Sequence, residues 1–388
     1  MVGRFQKIRI LYIVYDMNNG ALMNWLIGIL RRINREQFQV DFIVHDCRPG
    51  YFDNEVRKLG AKIICCSNPR YFWSYIPFFK KLLLEYGPYD VIHSNLGNCG
   101  FHVYIAKQVG VPLRISHLHT EFFKSAKGWG LRAKLKWLFY RYFNTLLIAK
   151  YSTLAFTVSS EAAKGSLGSY LQAIKCLELP CGIELEPFKK QVDSKSVRQE
   201  LGIPETAFVI GHAGRLEWEK NQVFLIKIAK EVNRIDPNMR LLLIGDGPDK
   251  TQLETEAANS GLSHKVIFTG IRSDVPRLML GAMDVFVFPS NYEGLGLALV
   301  EAQAAGLPCF ISNNIVNEAV IVEPLVQRLS LHDSPFTWAM AISAVKGIKS
   351  ESTRSDALRT LEKSLFNIDN NVRRLQEIYS EFLMHYTQ

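Results

Sequence analysis

Residues 288–308, FPSNYEGLGLALVEAQAAGLP, set two carboxylates around a glycine-bearing loop, a combination that can hold a phosphorylated sugar. Phe288, Pro289 and Ser290 close a strand. Glu293, Gly294, Leu295 and Gly296 make a loop, and a helix runs from about Leu297 until Gly306 and Pro308 stop it. The start of a helix offers unpaired N–H groups and a partial positive charge, and Gly294 and Gly296 let an anion approach closely. Side chains on a helix lean toward its N-terminus, so Glu301 points back to the loop that carries Glu293. The helix is apolar on nearly every face, which predicts that it is buried and that Glu301 has a partner. Phosphate at the helix end with hydroxyls on the carboxylates is the chemistry this permits. The plainer reading has Glu293 complementing the helix dipole and Glu301 pairing with a neighbouring cation.

A second loop, in residues 211–221 (GHAGRLEWEKN), places Gly214, Arg215 and Lys220 after a strand. An Arg fork and a Lys ammonium can grip a pyrophosphate. Breaking a nucleotide–sugar bond develops negative charge on that group, which fixed cations stabilise. The same residues could instead form a surface ion cluster with Glu217 and Glu219.

Loops of this kind need parallel strands to position them. Apolar runs at residues 8–14, 40–46, 61–66, 90–95, 114–119 and 154–159 alternate with amphipathic stretches, as in repeated βαβ units. A second series follows at residues 208–214, 240–247, 265–270, 284–290 and 308–312. The pattern predicts an α/β protein with two parallel sheets covered on both faces, whose ligands collect beyond the C-terminal ends of the strands. Pro180, Gly182 and Pro187, followed by a charged run, put a boundary near residue 185. The predicted division is 1–185, 186–365 and a closing segment 366–388, where Val372, Leu375, Ile378, Tyr379 and Phe382 follow helical spacing.

With 388 residues, 48% hydrophobic and 21% charged, the chain suits a folded two-domain enzyme and leaves little room for disorder. The seven cysteines are odd in number and never spaced as CxxC, so they read as free thiols of a reducing compartment. The opening residues contain a strand-length apolar run without a cleavage site, and no segment reaches the ~20 apolar residues of a membrane span. The expectation is a protein not integral to a membrane. A net charge of +9 favours anionic partners.

An ordered set of motifs in the C-terminal half resembles glycosyltransferase family four, the retaining GT-B enzymes, and in particular their capsule and exopolysaccharide branch. The set is Gly214-Arg215-Leu216, Glu219-Lys220-Asn221, Gly245-Asp246-Gly247-Pro248, Phe268-Thr269-Gly270, Phe288-Pro289-Ser290, and Glu293 with seven residues before Glu301. The resemblance implies a GT-B fold of two Rossmann-like parallel-sheet domains facing a central cleft, with the acceptor on the first, the donor nucleotide on the second, and the last helix packing back toward the first. It implies that Arg215 and Lys220 bind the donor diphosphate and that Glu301 holds the ribose hydroxyls. Glu293, with the backbone of Gly294 and Leu295, would contact the transferred sugar, Gly296 would belong to the donor site, and Gly270, Ile271 and Arg272 would flank the nucleobase. No cofactor and no metal ion is implied, and the sequence offers no DxD-type pair in a suitable loop. Front-face departure at the cationic diphosphate site, with retained configuration, is the implied mechanism, and a UDP-sugar the implied donor.

The N-terminal half carries the resemblance less tightly. His119 ends a strand in RISHLHT, where a related histidine contacts the donor sugar or reaction centre; a structural histidine is the alternative. His117 shares its side only if regular alternation persists. In DMNNGALMNW, Gly20 permits close approach of a ligand, but Leu22 stands where the family commonly has glutamate. Cys181-Gly182 replaces a common Asn-Gly, with Gly182 read as a hinge turn and Cys181 as packed.

Between Phe122 and Ser160 there is no acid, while seven cations interleave with aromatics; residues 71–86 add more of the same. Together they predict either a face resting on anionic lipid, bringing a lipid-linked saccharide to a cytoplasmic enzyme, or core aromatics with solvated lysines. Nucleic-acid binding has no supporting motif. The expected partners are a nucleotide-sugar donor and a saccharide acceptor. A GT-B-shaped hexosamine epimerase, or a binding protein for sugar nucleotides or lipid surfaces, are the competing readings.

Overall fold

The structure, a computed structural model, describes residues 7–66, 72–119, 130–347 and 351–386. Two compact units form: one runs through Ile183 and resumes at Ile368, and the other is Glu184–Asn367.

The first unit alternates β1 (Ile8–Val14), α1 (Ala21–Arg32), β2 (Phe38–Val44), α2 (Asp53–Lys58), β3 (Ile63–Cys65), α3 (Phe72–Tyr86), β4 (Val91–Ser94), α4 (Cys99–Gln108), β5 (Leu113–Leu118), α5 (Leu131–Tyr151), β6 (Leu154–Thr157), α6 (Ser160–Leu167) and β7 (Cys176–Glu178). Its strands lie in the order β3-β2-β1-β4-β5-β6-β7, and every pairing is parallel. Helical crossovers cover both faces, so a central strand needs apolar side chains on both sides. In β1, Ile10, Leu11, Tyr12 and Ile13 are all fully buried.

The second unit runs α7 (Glu186–Lys189), α8 (Ser194–Glu200), β8 (Val209–Ala213), α9 (Gln222–Ile235), β9 (Arg240–Ile244), α10 (Lys250–Asn259), β10 (Val266–Phe268), α11 (Val275–Gly281), β11 (Val285–Phe288), α12 (Leu297–Ala304), β12 (Cys309–Ser312), β13 (Val326–Leu329), α13 (Pro335–Ser343) and α14 (Glu351–Glu362). Its order is β10-β9-β8-β11-β12-β13, again parallel throughout. Phe208, Ile210, Leu241, Leu243, Val285 and Trp338 belong to its core.

In both sheets the order reverses beside the first strand of the unit: between β1 and β4 in one, and between β8 and β11 in the other. Loops leaving two such strands run to opposite sides and open a crevice, the place where this architecture binds ligands. The loops holding Gly214–Lys220 and Glu293–Gly296 leave β8 and β11.

The closing helix α15 (Ile368–Tyr386) belongs to the first unit, where Val372, Leu375, Ile378 and Tyr379 are buried. The Ile368 N–H donates to the Ile183 carbonyl at 3.1 Å, so the chain leaves and re-enters this unit at one point.

Two expectations need correction. The sequence pattern omits β7 and β13. Both are sheet-edge strands, CLE and VQRL, partly open to solvent, and an edge does not require apolar side chains on both faces. The cysteines are not all free: Cys47 and Cys65 form a disulfide with a Cα–Cα distance of 5.4 Å. Cys65 lies beside Val44 in the sheet, and Cys47 follows three residues later, so strand register brings the two together. Cys66, Cys99, Cys176, Cys181 and Cys309 are free thiols. Of the two readings given for residues 71–86, Tyr75, Phe79, Leu82 and Leu83 of α3 follow the core one, packing with β1 and β4, while Phe78 and Leu84 are exposed. Of the basic aromatic stretch, Phe122, Lys124, Lys127 and Trp129 lie outside the described residues. Among the described residues no helix is long and apolar enough to cross a membrane.

Candidate functional site

The loop after β8 begins at Gly214, whose amide donates to the Ile244 carbonyl at 2.9 Å. Gly245, with φ +134°, passes so close that a Cβ on it would collide with the Gly214 carbonyl. The loop then turns at Asn221, left-handed at φ 55°, before α9 starts. Asn tolerates that conformation, and its side-chain N–H donates to the Pro289 carbonyl at 3.1 Å. The Asn291 N–H donates to the Glu219 carbonyl at 2.8 Å, and its side chain donates to the Trp218 carbonyl at 2.8 Å. The two loops are therefore laced together by backbone-directed bonds.

This lacing brings Lys220 onto Glu293. The ammonium sits 2.7 Å from both carboxylate oxygens and lies 5.6 Å from the centre of the Phe288 ring. Glu293 is only 6% exposed, so its charge is balanced by Lys220 rather than by water. A Cβ placed on Gly214 would meet Lys220 Cε at 3.6 Å, so the glycine edge borders the lysine stem. Arg215 differs: its side chain is 68% exposed, and its Nε is 3.2 Å from Glu217, whose own carboxyl burial pushes up against the pull of Arg215. Gln222 holds the Arg215 carbonyl at 2.8 Å.

Gly296 caps α12 with φ +88°, where a side chain would also press to 3.1 Å from Phe288. Leu299, Val300, Ala302 and Ala304 of the helix are buried, as its apolar surface predicts. Glu301 is the exception. It is half-buried, has no hydrogen-bond or ion-pair partner among the described residues, and desolvation pushes its carboxyl up to about 7. The expected partner is absent, and the carboxylate is left able to accept hydroxyl donors. Gly270 accepts the Gly245 N–H at 2.9 Å, and Ile271 beside it is 69% exposed. Arg272 is tied to Glu200 and Asp274, both at 2.8 Å, in a cluster that Arg277 joins; hydrogen bonding by Arg272 pulls the Asp274 carboxyl down to about 2.

His119 and Gly20 belong to the first unit. Gly20 precedes α1 in open space. His119 follows β5, and its ring stacks on His117 with centroids 4.1 Å apart, so alternation does persist between them. His119 Nε2 is 2.9 Å from Asn95 Oδ1, and Cys181 Sγ is 3.7 Å from Nδ1. Burial lowers its pKa to about 4 and raises that of the Cys181 thiol.

Beneath it runs a buried chain that sequence reasoning missed. The Leu179 carbonyl faces His117 Nε2 at 3.1 Å, His117 Nδ1 faces His93 Nε2 at 3.0 Å, and His93 Nδ1 faces the Tyr379 hydroxyl at 2.8 Å, which meets that of Tyr12 at 3.0 Å. Burial holds both histidines uncharged, so a carbonyl at one end fixes every proton along the chain. Its partners lie far apart in sequence, so only the HxH spacing hinted at it. A cavity of about 50 Å³ adjoins His119, lined also by Asn95, Arg141, Asn144, Thr145 and Ser166.

Residues 193–357 match the family described as glycosyl transferases group 1. EpsF of Bacillus subtilis strain 168, which carries a glycosyltransferase name, is 31% identical over 380 residues, covering 96% of each chain. The UDP-Gal:alpha-D-GlcNAc-diphosphoundecaprenol alpha-1,3-galactosyltransferase of Escherichia coli is 27% identical, covering 90% of this chain and 91% of that one. Anabaena HepE, solved in complex with UDP and glucose, superposes with a TM-score of 0.78 at 21% identity, over 96% of this chain and 99% of that one. Full-length similarity to EpsF, on two parallel Rossmann-like sheets of the GT-B type, shows that the chain is an enzyme belonging to the group 1 glycosyltransferases.

Proposed function

We propose that the protein is a retaining, metal-independent glycosyltransferase that moves a sugar from a UDP-sugar to a lipid-linked saccharide of a growing capsule or exopolysaccharide. It would work from the cytoplasmic side of a membrane. The observation that carries the donor assignment is the Lys220–Glu293 pair in the β8/β11 crevice, with the unpartnered Glu301 carboxylate on the helix that follows. In this reading Arg215 and Lys220 receive the diphosphate, Glu301 accepts the ribose hydroxyls, and Gly270, Ile271 and Arg272 flank the base. Glu293, Gly294, Leu295 and Gly296 hold the sugar, and His119 with Gly20 meets the reacting end.

Within this reading, retention proceeds without a covalent sugar–enzyme intermediate, because Glu293 is not free to act as the nucleophile. A double displacement needs a free carboxylate nucleophile, and both oxygens of Glu293 are held by an ammonium. The acceptor oxygen therefore bonds to the anomeric carbon on the face from which the diphosphate departs. The carbon–oxygen bond to the β-phosphate breaks, and the acceptor proton passes to that phosphate oxygen. The charge arriving on the diphosphate is met by fixed cations and the start of α12, which supply the role a divalent ion would otherwise have.

The lipid-linked acceptor is supported by the E. coli relative, whose name specifies a diphosphoundecaprenol acceptor. It is supported also by α5, which has no acid in 21 residues, carries Arg132, Lys134 and Lys136, and exposes Leu135, Leu138, Phe139, Tyr142 and Phe143. The experiment is acceptor-dependent release of UDP in the presence of a chelator, with solvent deuterium content of the sugar followed in parallel. The reading expects release that persists with chelator, falls at least a hundredfold in folded Glu301→Ala and Arg215→Ala, and adds no deuterium. Undiminished release in those variants would reject the site, and deuterium uptake without acceptor would indicate an epimerase.

A further inference from the structure

We propose that Asn95 and Cys181 are positioning residues that hold the His119 imidazole with its proton on Nε2 and its lone pair on Nδ1, the form presented to the sugar. The proposal rests on the role given to His119 above. Asn95 is 6% exposed, and its side-chain N–H donates to the His93 carbonyl at 3.3 Å, which turns Oδ1 toward His119. An amide oxygen can only accept, so the 2.9 Å contact places the proton on Nε2.

The other nitrogen then carries a lone pair, and the group facing it is the Cys181 thiol at 3.7 Å. Cys181 is 4% exposed and stays protonated, so it donates. Its position is set from α15: the Asn371 side chain donates to the Pro180 carbonyl at 2.7 Å, and Gly182 lies so close that a Cβ there would come within 3.0 Å of Ile368 Cα. Stacking on His117 and an edge contact to Trp25, with centroids 6.1 Å apart, fix the ring plane. Among the described residues, the titratable or charged groups around the ring are His93, His117 and Cys181, with Cys99 and Arg141 across the adjoining cavity.

A thiol is a weak donor. A sugar hydroxyl arriving at Nδ1 can therefore replace it, whereas Asn95 keeps the proton on the far side of the ring. Asn95 chooses the tautomer, and Cys181 keeps Nδ1 occupied until substrate comes.

The test combines 15N NMR of labelled histidines in the full-length protein with kcat and donor KM. In the parent, His119 should show an unprotonated Nδ1. Asn95→Leu should mix the tautomers and lower kcat about tenfold, with donor KM within about twofold. Asn95→Asp should raise the His119 midpoint by about one to three pH units, because a carboxylate favours the charged ring. Cys181→Ala should shift the Nδ1 resonance and lower kcat about fivefold, and Cys181→Ser, which keeps a donor, should recover most of it. If His119 resonances in Asn95→Leu and Cys181→Ala match the parent, the proposal fails whatever the activity. It fails equally if the tautomer changes and kcat does not. If the parent transfers no sugar at all, the transferase reading falls, and the NMR comparison still decides the positioning.

Discussion

At the scale of single residues, the pairing of Lys220 with Glu293 makes each dependent on the other. Removing the ammonium leaves a carboxylate that is 6% exposed and unbalanced, which costs about 3 kcal/mol. Chemical denaturation should therefore show Lys220→Ala less stable by about that amount, with most of the loss recovered in Lys220→Ala/Glu293→Gln; equal stability of the two variants would contradict the pairing. Glu301 predicts a pH signature. Burial lifts its folded pKa to about 7, above the ordinary carboxyl value of 4.5, so the folded state binds this proton more tightly than the unfolded chain. The stability it contributes is complete below about pH 4.5 and is lost as pH rises through 7. Glu301→Gln should flatten that slope and exceed the parent at pH 8 by on the order of 2 kcal/mol in urea titrations. Hydroxyl donors favour the charged carboxylate, so donor affinity should tighten between pH 6 and 8 in the parent and stay level in Glu301→Gln. The sequence made these residues legible because their types and spacing advertise their chemistry. It misjudged the surroundings of Glu301, since an all-apolar helix surface does not reveal which flank opens to solvent. Asn95 and Cys181 stayed hidden because their meeting with His119 depends on three separate chain segments.

Among the elements, the central strands were readable because burial on both faces demands continuous apolar runs, whereas edge strands β7 and β13 carry no such demand. Helices α3 and α5 look alike in composition and differ in placement. Tyr75 and Phe79 of α3 are buried in the core, and the first half of α5 leaves Phe139 72% exposed and Leu135 57% exposed. Composition cannot separate these outcomes; contacts can. The exposed α5 face predicts that Leu135→Glu/Phe139→Glu leaves thermal stability within about 0.5 kcal/mol of the parent, because neither side chain is in the core. The same pair of changes should abolish co-sedimentation with phosphatidylglycerol vesicles, while phosphatidylcholine vesicles bind neither protein. Unchanged sedimentation would remove the membrane from the account.

For the whole molecule, each unit has its own sheet, core and switch-point crevice, and α15 returns from the end of the chain to complete the first. Trp25 Nε1 donates to Asn371 at 2.8 Å, and Tyr379 joins the histidine chain, so the last helix supports the surroundings of His119. Paired βαβ series were visible in the pattern of apolar runs; the disulfide was not, since Cys47 and Cys65 meet only through the register of β2 and β3. The central claim is that Arg215, Lys220, Glu293 and Glu301 surround one diphosphate ester. The most direct test is thermal stabilisation of the full chain by nucleotide sugars, since a ligand at a hundred times its Kd adds about 2.7 kcal/mol to the folded state. The account predicts stabilisation by UDP-sugars over GDP-sugars in the parent, with apparent affinity at least tenfold weaker in folded Arg215→Ala and Glu301→Ala. Equal stabilisation of parent and variants would contradict it.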